Sequence, residues 1–182
     1  MQERVPASPR YDTLSVIFHW LSFLLVALAY LAIEVRGPRG SASRTWWMNV
    51  HLWAGSLLLV TSILRIFWRL YRGAPPPVPS GPLLDGLSRI VHVALYAFVV
   101  VQPLLGILIF NLHDKPVVLA GLDWSFRLVG PSPSLGDTCA EIHEVLGNVF
   151  YGVIGLHAAA ALWHHYIRRD GLLYRMSLRR AD

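Results

Sequence analysis

Cysteine is nearly absent from this 182-residue chain. Cys139 is the only one, so no internal disulfide can form, and no Cys-x-x-Cys-His run exists for covalent haem attachment. We read Cys139 as a small residue at the start of a helix. Charge is scarce as well: 15% of residues against 54% hydrophobic, too apolar for an ordinary soluble domain. Acids are missing from the interior of the apolar segments. Glu34, Asp85, Asp114, Asp137, Glu141 and Glu144 all stand near segment ends. That argues against a proton or hard-cation transporter, whose sites pair ions with buried carboxylates. No internal repeat is visible. No small-residue cleavage pattern follows the first apolar stretch, which is long and carries His19, so it reads as a retained helix and not a signal peptide.

What the chain does have is four apolar blocks: Leu14 to Val35, Trp46 to Tyr71, Leu87 to Leu112 and Thr138 to Tyr166. Each exceeds the roughly 20 residues that cross a hydrocarbon core. The expected fold is an all-α membrane protein, one domain over 1–182, with transmembrane helices at about 14–35, 46–71, 87–112 and 138–166. By topology the N-terminus, the second connection and the C-terminus share a side. That side holds eleven arginines: Arg4, Arg10, Arg65, Arg69, Arg72, Arg89, Arg168, Arg169, Arg175, Arg179 and Arg180. The opposite side holds five cations (Arg36, Arg39, Arg44, Lys115 and Arg127) and six acids, the five there already named and Asp123. The positive-inside rule makes both termini cytoplasmic. The basic excess is thus a topology signal, and nucleic acid is not an expected partner.

The connections are equally readable. Arg36-Gly-Pro-Arg-Gly-Ser is a turn. Gly73-Ala-Pro-Pro-Pro-Val-Pro-Ser-Gly-Pro82 cannot be helical and reads as a semi-rigid cytoplasmic strap. The longest connection, His113 to Asp137, carries Trp124, Phe126 and Leu128, an expected interfacial lid. Trp46, Trp47, Trp53, Trp68, Trp163 and Tyr166 gather near span ends, as aromatic belts do.

Histidine carries the chemistry. His143 and His157 lie fourteen residues apart on the last helix, close to four turns, so both rings share a face about 21 Å apart. His51 matches the depth of His143 near the outer surface, and His19 matches His157 near the inner one. Two neutral imidazole pairs at two depths point to axial ligation of two b haems stacked across the membrane. His92 competes with His19 for the inner position. Gly55, Gly147, Gly152 and Gly155 supply small surfaces where a porphyrin approaches a helix; ordinary helix packing explains such glycines equally well. Arg65, fourteen residues after His51, sits at the inner level, either pairing with a haem propionate or snorkelling to the surface. His92 and His164, with Arg72, are expected to form a polar pocket that binds and protonates a quinone. Interfacial packing is the competing reading of His164 and His165, and His113 reads as a solvated loop residue.

These residues carry a resemblance. Ile17-Phe-His-Trp-Leu, His51-Leu-Trp-Ala-Gly55 with Arg65, Gln102-Pro-Leu-Leu-Gly106 and Gly155-Leu-His-Ala-Ala-Ala-Ala-Leu-Trp-His-His165 resemble the bacterial cytochrome b561 family, and its superoxide oxidase members in particular. The likeness runs from about Arg10 to Met176. It implies a four-helix di-haem cytochrome b with ligands His19, His51, His143 and His157, and His92 and His164 near the inner haem. It further implies electron transfer from superoxide outside to ubiquinone, with protons from the cytoplasm. The wider family includes subunits relaying electrons between quinone and a dehydrogenase or hydrogenase, so a protein electron donor is the alternative. A haem-binding sensor without turnover is the reading from another class.

Overall fold

The structure is a computed structural model and describes residues 10–122 and 125–178. Four helices dominate: α1 (Thr13–Glu34), α2 (Ala42–Arg72), α3 (Pro82–Leu112) and α4 (Pro133–Trp163). All four are long and apolar enough to cross a membrane. Three start earlier than the apolar blocks suggest, by four residues for α2 and by five for α3 and α4. The reason is local chemistry outside the hydrocarbon zone. The Ser41 side chain accepts the Arg44 amide at 3.1 Å and caps α2, while Pro82 and Pro133 open α3 and α4 with φ already set for a helix. Asp12 caps α1 through the Ser15 amide, a contact worth about 1 kcal/mol.

The helices pack as two antiparallel hairpins, α1 on α2 and α3 on α4, joined more loosely by α2 against α3. Buried apolar residues are few: Val16, Leu25, Ala32, Ala54, Leu58, Phe98, Ile107 and Phe150 mark the seams. Phe98 of α3 stacks on Phe150 of α4 with ring centres 3.9 Å apart. Large apolar side chains such as Phe23, Leu24, Phe67 and Leu70 face outward, as a lipid-solvated surface requires. Hydrogen bonds from Tyr30 Oη to the Gly147 carbonyl and from Tyr151 Oη to Glu34 tie α1 to α4.

The two ends of the bundle are closed differently. At the termini end, the strap from 73 to 81 is pinned by the tail. Arg175 donates to the Pro76 carbonyl and Arg168 to Ser80 Oγ, while the Trp20 indole donates to the Met176 carbonyl. Trp68 donates to Asp12 at 2.9 Å. Burial pushes the Asp12 carboxyl up, but the bonds from Ser15 and Trp68 outweigh it and hold the carboxyl below its ordinary value. At the loop end, fully buried Asn111 organises the long connection, donating to the Lys115 carbonyl and accepting the Leu128 amide. Strands β1 (Val117–Val118) and β2 (Ser125–Phe126) pair antiparallel there. The expected lid is therefore a small folded loop; Asp123 and Trp124 lie outside the described residues, as do Arg4, Arg179 and Arg180.

Candidate functional site

The histidines gather into the two groups that depth predicts. His51 on α2 and His143 on α4 face each other with ring centres 6.2 Å apart. His19 on α1 and His157 on α4 do the same, also at 6.2 Å. Each pair bridges the two hairpins, and α4 contributes to both. All four rings are half-buried. An iron held by two imidazoles, with bonds of about 2.0 Å and about 1.1 Å from each nitrogen to its ring centre, needs centres about 6.2 Å apart. Both pairs meet that spacing.

The loop-end pair sits among neutral groups. His51 Nδ1 lies 2.9 Å from the Ala29 carbonyl. A carbonyl only accepts, so Nδ1 carries the proton and Nε2 keeps its lone pair. His143 packs against α3 at Gly106, where an added Cβ would touch its Cε1 at 3.8 Å, and Gln102 donates to the His143 carbonyl at 3.0 Å.

The termini-end pair sits among cations and further histidines. Arg65 approaches His19 Nδ1 at 3.3 Å and lies over the Tyr96 ring at 5.1 Å. A guanidinium only donates, so in this arrangement the His19 proton is on Nε2. His92 stands 5.4 Å from His157, centre to centre, about 0.8 Å short of the spacing for a shared iron. His92 is exposed, and its Nδ1–H donates to the Ser88 carbonyl at 2.6 Å. Arg65, His92, His19 and His157 thus form one cluster.

His164 has a partner that the sequence expectation did not include. The α-helix ends at Trp163, but His164 keeps helical dihedrals and its amide still donates to the Ala160 carbonyl, so it stays on the face below His157; the π-turn His164–Arg168 redirects only the chain that follows. Arg169 then takes a left-handed φ of 53° and Gly171 one of 76°. This doubling-back brings Asp170 onto His164, whose Nδ1–H donates to the carboxylate at 2.5 Å. Burial pushes Asp170 up, but the bonds from His164 and the Leu172 amide win and keep it below the usual carboxylate range. His92 and His164 are therefore not joined in one contact: His92 belongs to the His157 group, and His164 to Asp170. Arg72 is exposed at the end of α2. His165 packs on Tyr166 and Tyr174.

Two expectations change with the geometry. An added Cβ at Gly55, Gly152 or Gly155 would meet no protein atom within 4 Å, so these glycines are not helix-contact points; Gly147 alone touches a neighbour, Gln102 Nε2 at 3.4 Å. His113 is not a free loop residue. It ends α3, donates to Ile109 O and Asp137, and clasps α3 to α4. The Ile109 carbonyl and the Asp137 carboxylate raise its pKa above the ordinary histidine value. Sequence reasoning also missed Asp170 and Tyr96, whose partners lie six and at least twenty-seven residues away and leave no periodic signal.

Comparison with known proteins decides the class. The family described as prokaryotic cytochrome b561 matches residues 10–177. The chain belongs to the prokaryotic cytochrome b561 family. It is 36% identical over 174 residues to a protein named probable superoxide oxidase CybB from Yersinia pestis, covering 92% of this chain and 95% of that one. It is 33% identical over 174 residues to cytochrome b561 homolog 1 of Escherichia coli (strain K12), covering 94% and 98%. A second Escherichia coli relative, cytochrome b561 homolog 2, is 28% identical over 171 residues, covering 92% and 90%. As a member of this family, and with four membrane-length apolar helices, the protein is a multi-pass membrane cytochrome b. It binds b-type haem and transfers electrons as an oxidoreductase.

Proposed function

We propose that the protein is a single-domain di-haem electron wire that oxidises superoxide to O2 at the loop end and reduces ubiquinone at the termini end. The termini face the cytoplasm, and the membrane is the bacterial inner membrane. The observation that carries the reading is the pair of equal 6.2 Å histidine separations, one at each level. His51 and His143 would hold the loop-end haem, and His19 and His157 the termini-end haem. Haem, when bound, supplies a one-electron centre at each level. Gly55, Gly152 and Gly155 are the small surfaces beside those planes.

The protein's own residues do the rest. Arg36, just past the loop end of α1, gives that end positive charge that attracts a small anion; Arg127 is spent on Asp114, to which it donates twice. Two superoxide ions each give up one electron and leave as O2. With two protons from the termini side, those electrons convert one ubiquinone to ubiquinol. His164, held by Asp170, is the proton donor, and His92 lines the same end. With haem bound, Arg65 would pair with a propionate in place of the His19 ring, which would free His19 to carry its proton on Nδ1 and offer Nε2. A charge-assisted guanidinium–carboxylate bond is stronger than a 3.3 Å contact to an imidazole.

The test uses the purified protein alone. The reduced-minus-oxidised spectrum with haem quantification should give two haems per chain. Superoxide should reduce them, and ubiquinone should reoxidise them. Haems that superoxide leaves oxidised point to a cytochrome subunit fed by a dehydrogenase- or hydrogenase-type partner. Reduced haems that ubiquinone leaves reduced point to a sensor or scaffold.

A further inference from the structure

Two complementary polar atoms, on residues joined by a hydrogen bond, are buried without partners among the described residues. Gln102 is 8% exposed, in the middle of an apolar helix. Its amide nitrogen donates to the His143 carbonyl at 3.0 Å. Among the described residues its amide oxygen has no hydrogen-bond partner, and neither does His143 Nδ1. The orientation of the amide is not arbitrary: the His143 carbonyl can take only a donor, so Nε2 faces it and Oε1 is the free acceptor. His143 presents the matching group, because ligation of iron through Nε2 puts the imidazole proton on Nδ1. A donor and an acceptor, each buried and unpaired among the described residues, belong to two residues that the Gln102–His143 hydrogen bond already joins. Gly106 and Gly147 hold them close: an added Cβ at the first would touch His143, and at the second Gln102.

A role as helix glue does not account for this. Glue between α3 and α4 needs only the amide N–H on the His143 carbonyl, and a buried orphan acceptor costs about 1–3 kcal/mol. A single water with polar groups on two sides removes both orphans at once.

We propose that Gln102 is the positioning residue of His143: its amide oxygen takes the Nδ1–H hydrogen bond through one buried water. This bond sets the ring's rotation and raises its basicity, and so tunes the loop-end redox centre. It is the counterpart of the direct bond from His51 to the Ala29 carbonyl. The two ligands of that end are then held by different devices, one by backbone and one by a replaceable side chain. The inference rests on His143 being an axial ligand.

The test compares purified, haem-loaded Gln102→Leu and Gln102→Glu with the parent protein by redox titration and low-temperature EPR. Removing the acceptor weakens imidazole donation to the ferric state. In Gln102→Leu, both haems should be retained. The loop-end reduced-to-oxidised ratio at fixed potential should rise about tenfold, which is about 59 mV for one electron. Gln102→Glu keeps an acceptor of greater strength in nearly the same volume and should move that centre the opposite way. The termini-end centre should stay in place in both. Unchanged potentials and g-values in both variants, or equal shifts in both centres, overturn the proposal. His143→Ala separates the layers: if it retains both haems, the ligand assignment fails. If it loses one while the Gln102 variants stay silent, only this inference fails.

Discussion

The two histidine pairs have the same 6.2 Å separation and opposite surroundings. At the loop end, His51 already holds its proton on Nδ1 against a backbone carbonyl, and the groups in contact with the pair's rings and backbone, Gln102, Gly106 and Ala29, carry no charge, the Arg36 cation lying farther off. At the termini end, a guanidinium occupies the nitrogen that must carry the proton, and a third histidine crowds the second ring. Equal spacing therefore hides unequal preparation. Under the proposed function, the first arrangement suits a fixed electron-accepting site; the second, with its cation, histidines and carboxylate, suits an end where protons are handled.

Mutations can break this comparison, beginning with the ligands. His143→Ala should halve the haem content and leave the termini-end spectrum intact, read by pyridine haemochromogen assay; retention of both haems would place the ligand elsewhere. Next in size, His164→Ala should keep both haems and slow ubiquinone reduction about 10²-fold, the usual scale for loss of a general acid. Asp170→Asn should do the same to a smaller degree, and haem loss in either variant would make that pair structural. Arg65→Leu should act on one centre only. Removing a nearby cation disfavours the reduced state, so the termini-end ratio of reduced to oxidised haem should fall about tenfold at fixed potential, with the loop-end ratio unmoved.

The smallest effect belongs to the loop-end clasp. His113 donates through both ring nitrogens, as only imidazolium can, and its pKa is raised above the ordinary value near 6.5. A raised folded pKa adds stability that is complete below the unfolded value and is lost as pH rises through the folded one. Melting temperature should therefore drop slightly from pH 6 to pH 8, and Asp137→Asn should reduce that dependence. An unchanged slope in Asp137→Asn would remove the clasp from the account.

Sequence periodicity made the helices and the four histidines legible, because span length and the fourteen-residue spacing are properties of one segment at a time. What escaped it depends on departures from periodicity or on contacts between segments. Asp170 reaches His164 only through a π-turn and a left-handed Arg169. Gln102 meets His143 across 41 residues, and its role follows from an unpaired atom that no pattern announces. The helix starts were missed for a related reason: caps and leading prolines extend α2, α3 and α4 beyond the apolar blocks used to find them. His113 was misread because its partner Asp137 lies on another helix.

The central claim is one haem between each histidine pair. Its most direct measurement is an anaerobic redox titration of the purified parent protein alongside His143→Ala. The parent should titrate as two one-electron components of equal amplitude, with two haems per chain, and the variant as one of those components alone. A single component with one haem per chain in the parent contradicts the account.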